Sequence, residues 1–120
     1  MCGIFGFSYR TDKKDNKLSN LGSDIKLFTK LSRIRGSDSF GISLSFDQEN
    51  FVYKINSEPN KAVRRKDYKI FLANSLRKVK KDKLNFFSLI GQTRLVTNGT
   101  KFLNDNNQPI IADNLVGVHN

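Results

Sequence analysis

Apolar and polar positions alternate in several short stretches and follow a helical period in two longer ones. Residues 3–9, Gly-Ile-Phe-Gly-Phe-Ser-Tyr, mix apolar and small side chains and predict a buried strand. Residues 11–20 are polar and charged and predict a loop. Ser23-Asp24 predicts a helix start, with the Ser23 hydroxyl placed to cap backbone amides. Ile25, Phe28, Leu31 and Ser32, flanked by Leu27 and Ile34, give that helix an inward face, and Gly36 falls just past its end. Residues 39–46 predict a strand, 47–50 a turn and 51–55 a second strand, so the pair forms a hairpin. Within residues 61–83, Tyr68, Phe71, Leu72, Leu76 and Val79 recur at helical spacing, which predicts an amphipathic helix with a lysine-rich outer face. Residues 84–94 predict a strand, 97–108 a loop rich in Asn, Thr, Gly and Asp, and 114–119 a last strand. The order strand, helix, hairpin, helix, strand, loop, strand predicts an α+β domain of sheets packed with helices rather than a nucleotide-binding crossover fold. No repeat or low-complexity linker interrupts it.

Composition narrows the classes. The chain has 120 residues, suited to one small domain or part of a larger one, and a formal net charge of +10. Ten Phe supply material for a core. No apolar run approaches the roughly 20 residues that a membrane span needs, and the first residues are not a basic signal-peptide start. A cytoplasmic protein without a membrane anchor is expected. The positive charge admits two readings, a nucleic-acid surface or a solvated lysine-rich face. The lysines are not interleaved with stacking aromatics, which favours the solvated face over a nucleic-acid partner.

Cys2 changes the picture most. It is the only cysteine, which rules out an internal disulfide, and it follows Met1 directly. A small residue after the start methionine favours removal of that methionine. Cys2 would then carry a thiol and a free α-amine on one residue. Reference pKa values of about 8.5 and about 7.7–8.0 put both near working pH. The amine can take the thiol proton, directly or through water, and the thiolate is the attacking species. The plain alternative is a small buried cysteine at a strand start.

Three further islands carry polar chemistry. Arg33-Ile34-Arg35-Gly36-Ser37-Asp38-Ser39-Phe40-Gly41-Ile42 joins a helix end to a strand, and Arg35 and Asp38 could pair across the turn. Gly91-Gln92-Thr93-Arg94-Leu95-Val96-Thr97-Asn98-Gly99 puts at a strand mouth an arginine whose planar fork suits a carboxylate. Thr97, Asn98 and Gly99 offer hydroxyl, amide and backbone donors beside it. Asn106-Asn107-Gln108-Pro109-Ile110 and Val116-Gly117-Val118-His119-Asn120 form the last, with Asn120 a neutral donor able to stabilise an oxyanion. A Cys2–His119 dyad is the rival mechanism. It is disfavoured because neighbours on a strand face opposite ways, which sends His119 into packing when Asn120 faces Cys2. One cysteine and one histidine do not make a zinc site, so no metal or other cofactor is expected.

Together these motifs resemble the class II glutamine amidotransferases, the N-terminal-nucleophile (Ntn) glutaminases. The residues that carry the resemblance are Cys2-Gly3-Ile4-Phe5-Gly6, Arg35-Gly36-Ser37-Asp38-Ser39-Phe40-Gly41-Ile42, Thr93-Arg94-Leu95-Val96-Thr97-Asn98-Gly99, Asn107-Gln108-Pro109 and Val118-His119-Asn120, in the family's order. The resemblance implies a four-layer αββα sandwich of antiparallel sheets. It implies that Cys2 attacks the side-chain amide of glutamine, releasing ammonia and leaving a γ-glutamyl thioester that water cleaves. Arg94 would hold the substrate carboxylate, with Thr97 and the Leu95–Asn98 backbone. Asn120 would line the oxyanion hole, and Arg35, Gly36, Asp38 and Gly99 would support the surrounding turns. The expected partners are glutamine and an ammonia-accepting synthase domain or subunit outside this chain, and self-association is open. The chain is then expected to be the first part of a glutaminase domain, incomplete for catalysis alone. Gln92, Ser37 and Asn98 depart from residues often seen at those places. The motifs look closest to hexose-phosphate aminotransferases and amidophosphoribosyltransferases, with a sugar phosphate the favoured acceptor. Two other readings remain: a non-catalytic basic module binding nucleic acid or an acidic partner, and a degenerate glutaminase-like interaction domain.

Overall fold

A computed structural model describes residues 1–10, 19–81, 86–96 and 102–120. Its elements are β1 (Gly3–Arg10), α1 (Leu21–Ser32), β2 (Ser39–Phe46), β3 (Glu49–Ile55), α2 (Pro59–Ala62), α3 (Lys66–Lys81), β4 (Phe86–Arg94), β5 (Ile110–Ala112) and β6 (Leu115–Gly117). Short 3-10 turns cover Arg33–Arg35 and Asn104–Asn106. The first four strands build one antiparallel sheet in the order β1-β4-β2-β3, and β5 and β6 pair separately. The molecule is an α+β domain with antiparallel sheets.

Register explains which side chains meet. Phe5 lies opposite Gly91, Phe7 opposite Leu89 and Tyr9 opposite Phe87. On the other side of β4, Phe40 lies opposite Thr93, Ile42 opposite Gly91 and Leu44 opposite Leu89. Because side chains alternate along a strand, all of these share one face. That face carries both long helices. Phe28 of α1 packs on Phe5 and Phe7, with ring centroids 6.0 and 5.9 Å apart. Tyr68 of α3 meets Phe40 and Tyr53 edge-on at 5.9 and 5.5 Å. Phe40, Ile42, Leu44, Phe87 and Leu89 are essentially inaccessible. Burying each such side chain contributes about 1.5–3 kcal/mol, so this layer dominates cohesion.

The β2–β3 turn is tighter than the sequence suggests. It is a two-residue connection in which Asp47 and Gln48 both have positive φ, at 47° and 65°, and β3 begins at Glu49. Positive φ at both central residues is the condition for a turn that follows the strand twist.

Several expectations shift. The helix begins at Leu21, and Ser23 lies in its first turn. Its hydroxyl donates to Asn20 O at 2.6 Å instead of capping amides. The buried face of α1 is Leu21, Ile25 and Thr29, while Leu31 is 55% exposed. The helix expected over 61–83 divides into α2, opened by Pro59, and α3. The last strand shortens to Leu115–Gly117. The loops expected over 11–20 and 97–108 are in part outside the described residues.

The second face of the sheet is lined at its centre by small residues, Ser39, Gly41, Ser43 and Ser45 of β2. The segment that follows β4 returns over this face. A Cβ on Gly41 would sit 1.7 Å from Gln108 O, and Asn104 Nδ2 donates to Lys54 O of β3 at 3.2 Å. β2 is therefore covered on both faces.

Candidate functional site

The N-terminal end of β1 and the C-terminal end of β4 are neighbours because Gly3 pairs with Thr93. That antiparallel register puts Cys2 beside Arg94 and Leu95 although more than ninety residues separate them. Cys2 is half-buried, and its Sγ lies 3.9 Å from Leu95 O. The end of α1 is stitched to the same place by Thr93 Oγ1, which donates to Ser32 O at 2.7 Å. After the 3-10 turn, Gly36 lies so close to β4 that a Cβ would be 2.4 Å from Thr93 O.

Arg35 and Asp38 do not pair with each other. Arg35 Nε donates to Cys2 O at 3.3 Å, and its Nη2 donates to Met1 Sδ at 3.3 Å. Asp38 N donates to Arg94 O at 2.8 Å, while Asp38 Oδ2 accepts from Val96 N at 2.8 Å. Each residue fixes the backbone of a different neighbour, Arg35 that of Cys2 and Asp38 the exit of β4. An extended turn that runs beside β4 gives both more backbone partners than a pairing across it.

A cleft of about 170 Å³ opens at this junction, lined by Cys2, Arg94, Leu95, Asn106, Gln108, Ile110, His119 and Asn120. Asn120 Oδ1 accepts from Cys2 N at 2.6 Å. Arg94 Nη1 donates to Asn106 O at 2.7 Å and to Asn107 Oδ1 at 3.2 Å, so the guanidinium also orders the 3-10 turn at 104–106. Four separate parts of the chain thus converge on one small concavity.

Of the residues singled out from the sequence, Cys2, Arg94, Leu95 and Asn120 line the cleft together. Arg35, Gly36 and Asp38 stand behind it. Thr97, Asn98 and Gly99 lie outside the described residues. His119 is exposed and lines the cleft, contrary to the expectation that it would point into packing. The alternation argument fails there because β6 ends at Gly117, and residues 118–120 are not strand. Gln92, Asn106 and Gln108 were not singled out as site residues. The signal was present in Asn107-Gln108-Pro109: two adjacent amides that the structure buries, inside a segment that otherwise reads as loop.

Among the described residues no group of His, Cys, Asp and Glu is placed to hold a metal ion. Among the described residues no helix is long and apolar enough to cross a membrane. No family model matches the chain, and no curated protein matches it significantly.

Proposed function

We propose that this chain is a glutamine-hydrolysing amidotransferase domain of the N-terminal-nucleophile type. One observation carries the reading: Cys2 and Arg94 share a single cleft with Asn120. A nucleophile, a cation for a carboxylate and a neutral amide donor are what attack on the side-chain amide of an α-amino acid requires.

The chemistry follows from these groups. Removal of Met1 turns Cys2 N from a peptide nitrogen into an amine. The amine accepts the Sγ proton, and the thiolate attacks the amide carbon of glutamine, forming a C–S bond and a tetrahedral oxyanion. Asn120 Oδ1 accepts from Cys2 N, which leaves the Nδ2 hydrogens to donate to that oxyanion. The protonated amine returns its proton to the departing nitrogen as the C–N bond breaks, which releases ammonia and leaves a γ-glutamyl thioester. Water adds to the thioester with the amine again as base, and glutamate leaves with the thiol restored. Arg94 grips the α-carboxylate and sets the distance from that group to the reacting carbon. The ammonia acceptor is proposed to be a sugar phosphate, bound by a synthase domain or subunit that is not this chain. The helical layer on an antiparallel sheet supports assignment to the αββα class, with these two layers as one half of the sandwich.

The test is glutamine hydrolysis by the full-length protein, with mass spectrometry to establish that Cys2 is the first residue. Cys2→Ala is expected to lower turnover by more than about 10³-fold, and any extension before Cys2 is expected to have the same effect. Undiminished hydrolysis in Cys2→Ala would overturn the reading. Binding to a nucleic acid that weakens steeply with salt and is indifferent to Cys2 would favour the basic-module alternative instead.

A further inference from the structure

We infer that Gln92 and Gln108 act as positioning residues, clamping the backbone of His119 so that Asn120 is held against Cys2 N; this rests on the glutaminase reading above. Both backbone polar groups of His119 are taken by glutamine side chains from distant parts of the chain. Gln92 Nε2 donates to His119 O, and Gln108 Oε1 accepts from His119 N at 2.6 Å. His119 is itself exposed, and backbone groups in such a segment ordinarily turn to water. Here both are held by side chains that are 1% and 6% exposed.

Each glutamine is anchored in the sheet. Gln92 is part of β4, pairing with Gly41 on one side and Ile4 on the other. It lies two residues before Arg94 and so on the same face of the strand. Gln108 is pressed onto β2 at Gly41, where only a hydrogen leaves room for its carbonyl. The clamp therefore transmits the position of the central strands to residues 118–120, which have no strand pairing of their own. Asn120 follows His119 by one peptide, about 3.8 Å along the backbone, and its Oδ1 meets Cys2 N. Cys2 is in turn fixed by β1 through the Gly3–Thr93 pair. Nucleophile and oxyanion donor are thus both referenced to β4, one through strand pairing and the other through the clamp. Catalytic groups need placement to a fraction of an ångström, and residues 118–120 lie outside any strand ladder that would supply it.

The two glutamines play opposite parts, which makes the clamp separable from simple packing. Gln108 is an acceptor, so Gln108→Glu keeps its bond to His119 N–H, and Gln108→Met removes it. Gln92 is a donor, so Gln92→Met removes its bond and Gln92→Glu would set an acceptor against a carbonyl. The experiment measures steady-state glutamine hydrolysis in the full-length protein, thermal stability, and hydrogen exchange of the His119 amide. Wild type is expected to protect that amide. Gln108→Met is expected to lose the protection and to lower kcat about tenfold or more, with KM for glutamine within about twofold. Gln108→Glu is expected to restore both. If Gln108→Met folds poorly, Gln92→Met is expected to show the same split, a loss in kcat and not in KM. The clamp is overturned by an unprotected His119 amide in wild type, by unchanged kcat in Gln108→Met, by Gln108→Glu as impaired as Gln108→Met, or by a loss that falls on KM. If wild type hydrolyses no glutamine, the functional reading fails, and the exchange pattern across the same variants still decides whether the clamp exists.

Discussion

At the scale of single residues, close approach of backbones explains more than charge does. Gly41 is the clearest case. A Cβ there would lie 1.7 Å from Gln108 O, 2.7 Å from Gln108 C and 2.8 Å from Pro109 Cδ. None of these is the far end of a flexible side chain, so an added methyl must push the whole 107–109 segment off β2. Gly41→Ala is expected to destabilise the fold by about 1–3 kcal/mol. Because Gln108 moves with the segment, the glutamine turnover proposed above should fall further than the lost stability accounts for. Urea unfolding and turnover on the same preparation measure both, and a Gly41→Ala protein as stable and active as wild type would show that Gln108 does not lie on β2. Arg94 illustrates a second residue-scale point. Its Nη1 bonds order residues 106 and 107, so a residue expected only to meet substrate also builds the wall of its own cleft.

At the scale of elements, α1 shows what the pattern of apolar positions can and cannot carry. Its location was legible, since Ile25 is inward and Phe28 packs on Phe5 and Phe7, as expected. The rest of its inner face was not. Thr29 is fully buried, and its hydroxyl donates to Ile25 O at 2.8 Å, so its polarity is satisfied inside the helix. A periodicity read on hydrophobicity passes over such a threonine and selects the exposed Leu31 instead. The β2 strand carries its small residues for a different reason. Ser39, Gly41, Ser43 and Ser45 alternate along one face, and the returning segment lies over that face. Small residues in a strand can mark a face that another backbone approaches. The candidate cleft was legible where a residue's place in the chain marks it, as at Cys2 and Arg94, which both line it. It was not legible where the role depends on which backbone group a side chain reaches, as at Gln92 and Gln108. In α3, Tyr68 is 1% exposed and its hydroxyl has no hydrogen-bond partner among the described residues. A buried unpaired hydroxyl carries its desolvation cost without return, and removing it restores nothing to satisfy. Tyr68→Phe is therefore expected to leave the ring contacts with Phe40 and Tyr53 intact and to stabilise the protein by about 1 kcal/mol. Denaturant unfolding tests it, and a comparable destabilisation would mean that the hydroxyl has a partner.

At the scale of the whole molecule, ten net positive charges sit on a body with a radius of gyration of 14.0 Å. The described ion pairs, Arg33–Glu58, Arg65–Asp67 and Lys78–Glu49, lie at the surface and contribute little each. Cohesion rests on the aromatic layer between helices and sheet, and that layer has its own pH limit. Burial, reinforced by the Asp67 carboxylate, pushes Tyr53 up to about 12. Burial, reinforced by Tyr53, raises Tyr68 further still. For a group whose folded pKa lies above its unfolded value, the stabilisation is complete below the unfolded value, about 10 for tyrosine. It is lost as pH rises through the folded value, because the unfolded chain releases its protons first. Other groups contribute to the wild-type curve over the same range, so that curve alone cannot isolate the tyrosines. The discriminating comparison is between wild type and Tyr53→Phe, which share every lysine. Across pH 9 to about 11.5, wild type is expected to lose more stability in urea than Tyr53→Phe does. The tyrosinate absorbance that wild type has and Tyr53→Phe lacks is expected to rise in a late step that coincides with unfolding. Parallel stability curves, or a tyrosinate signal near pH 10 that wild type shows and Tyr53→Phe lacks while both are still folded, would show that solvent reaches the aromatic layer and that the helices do not seal that face of the sheet.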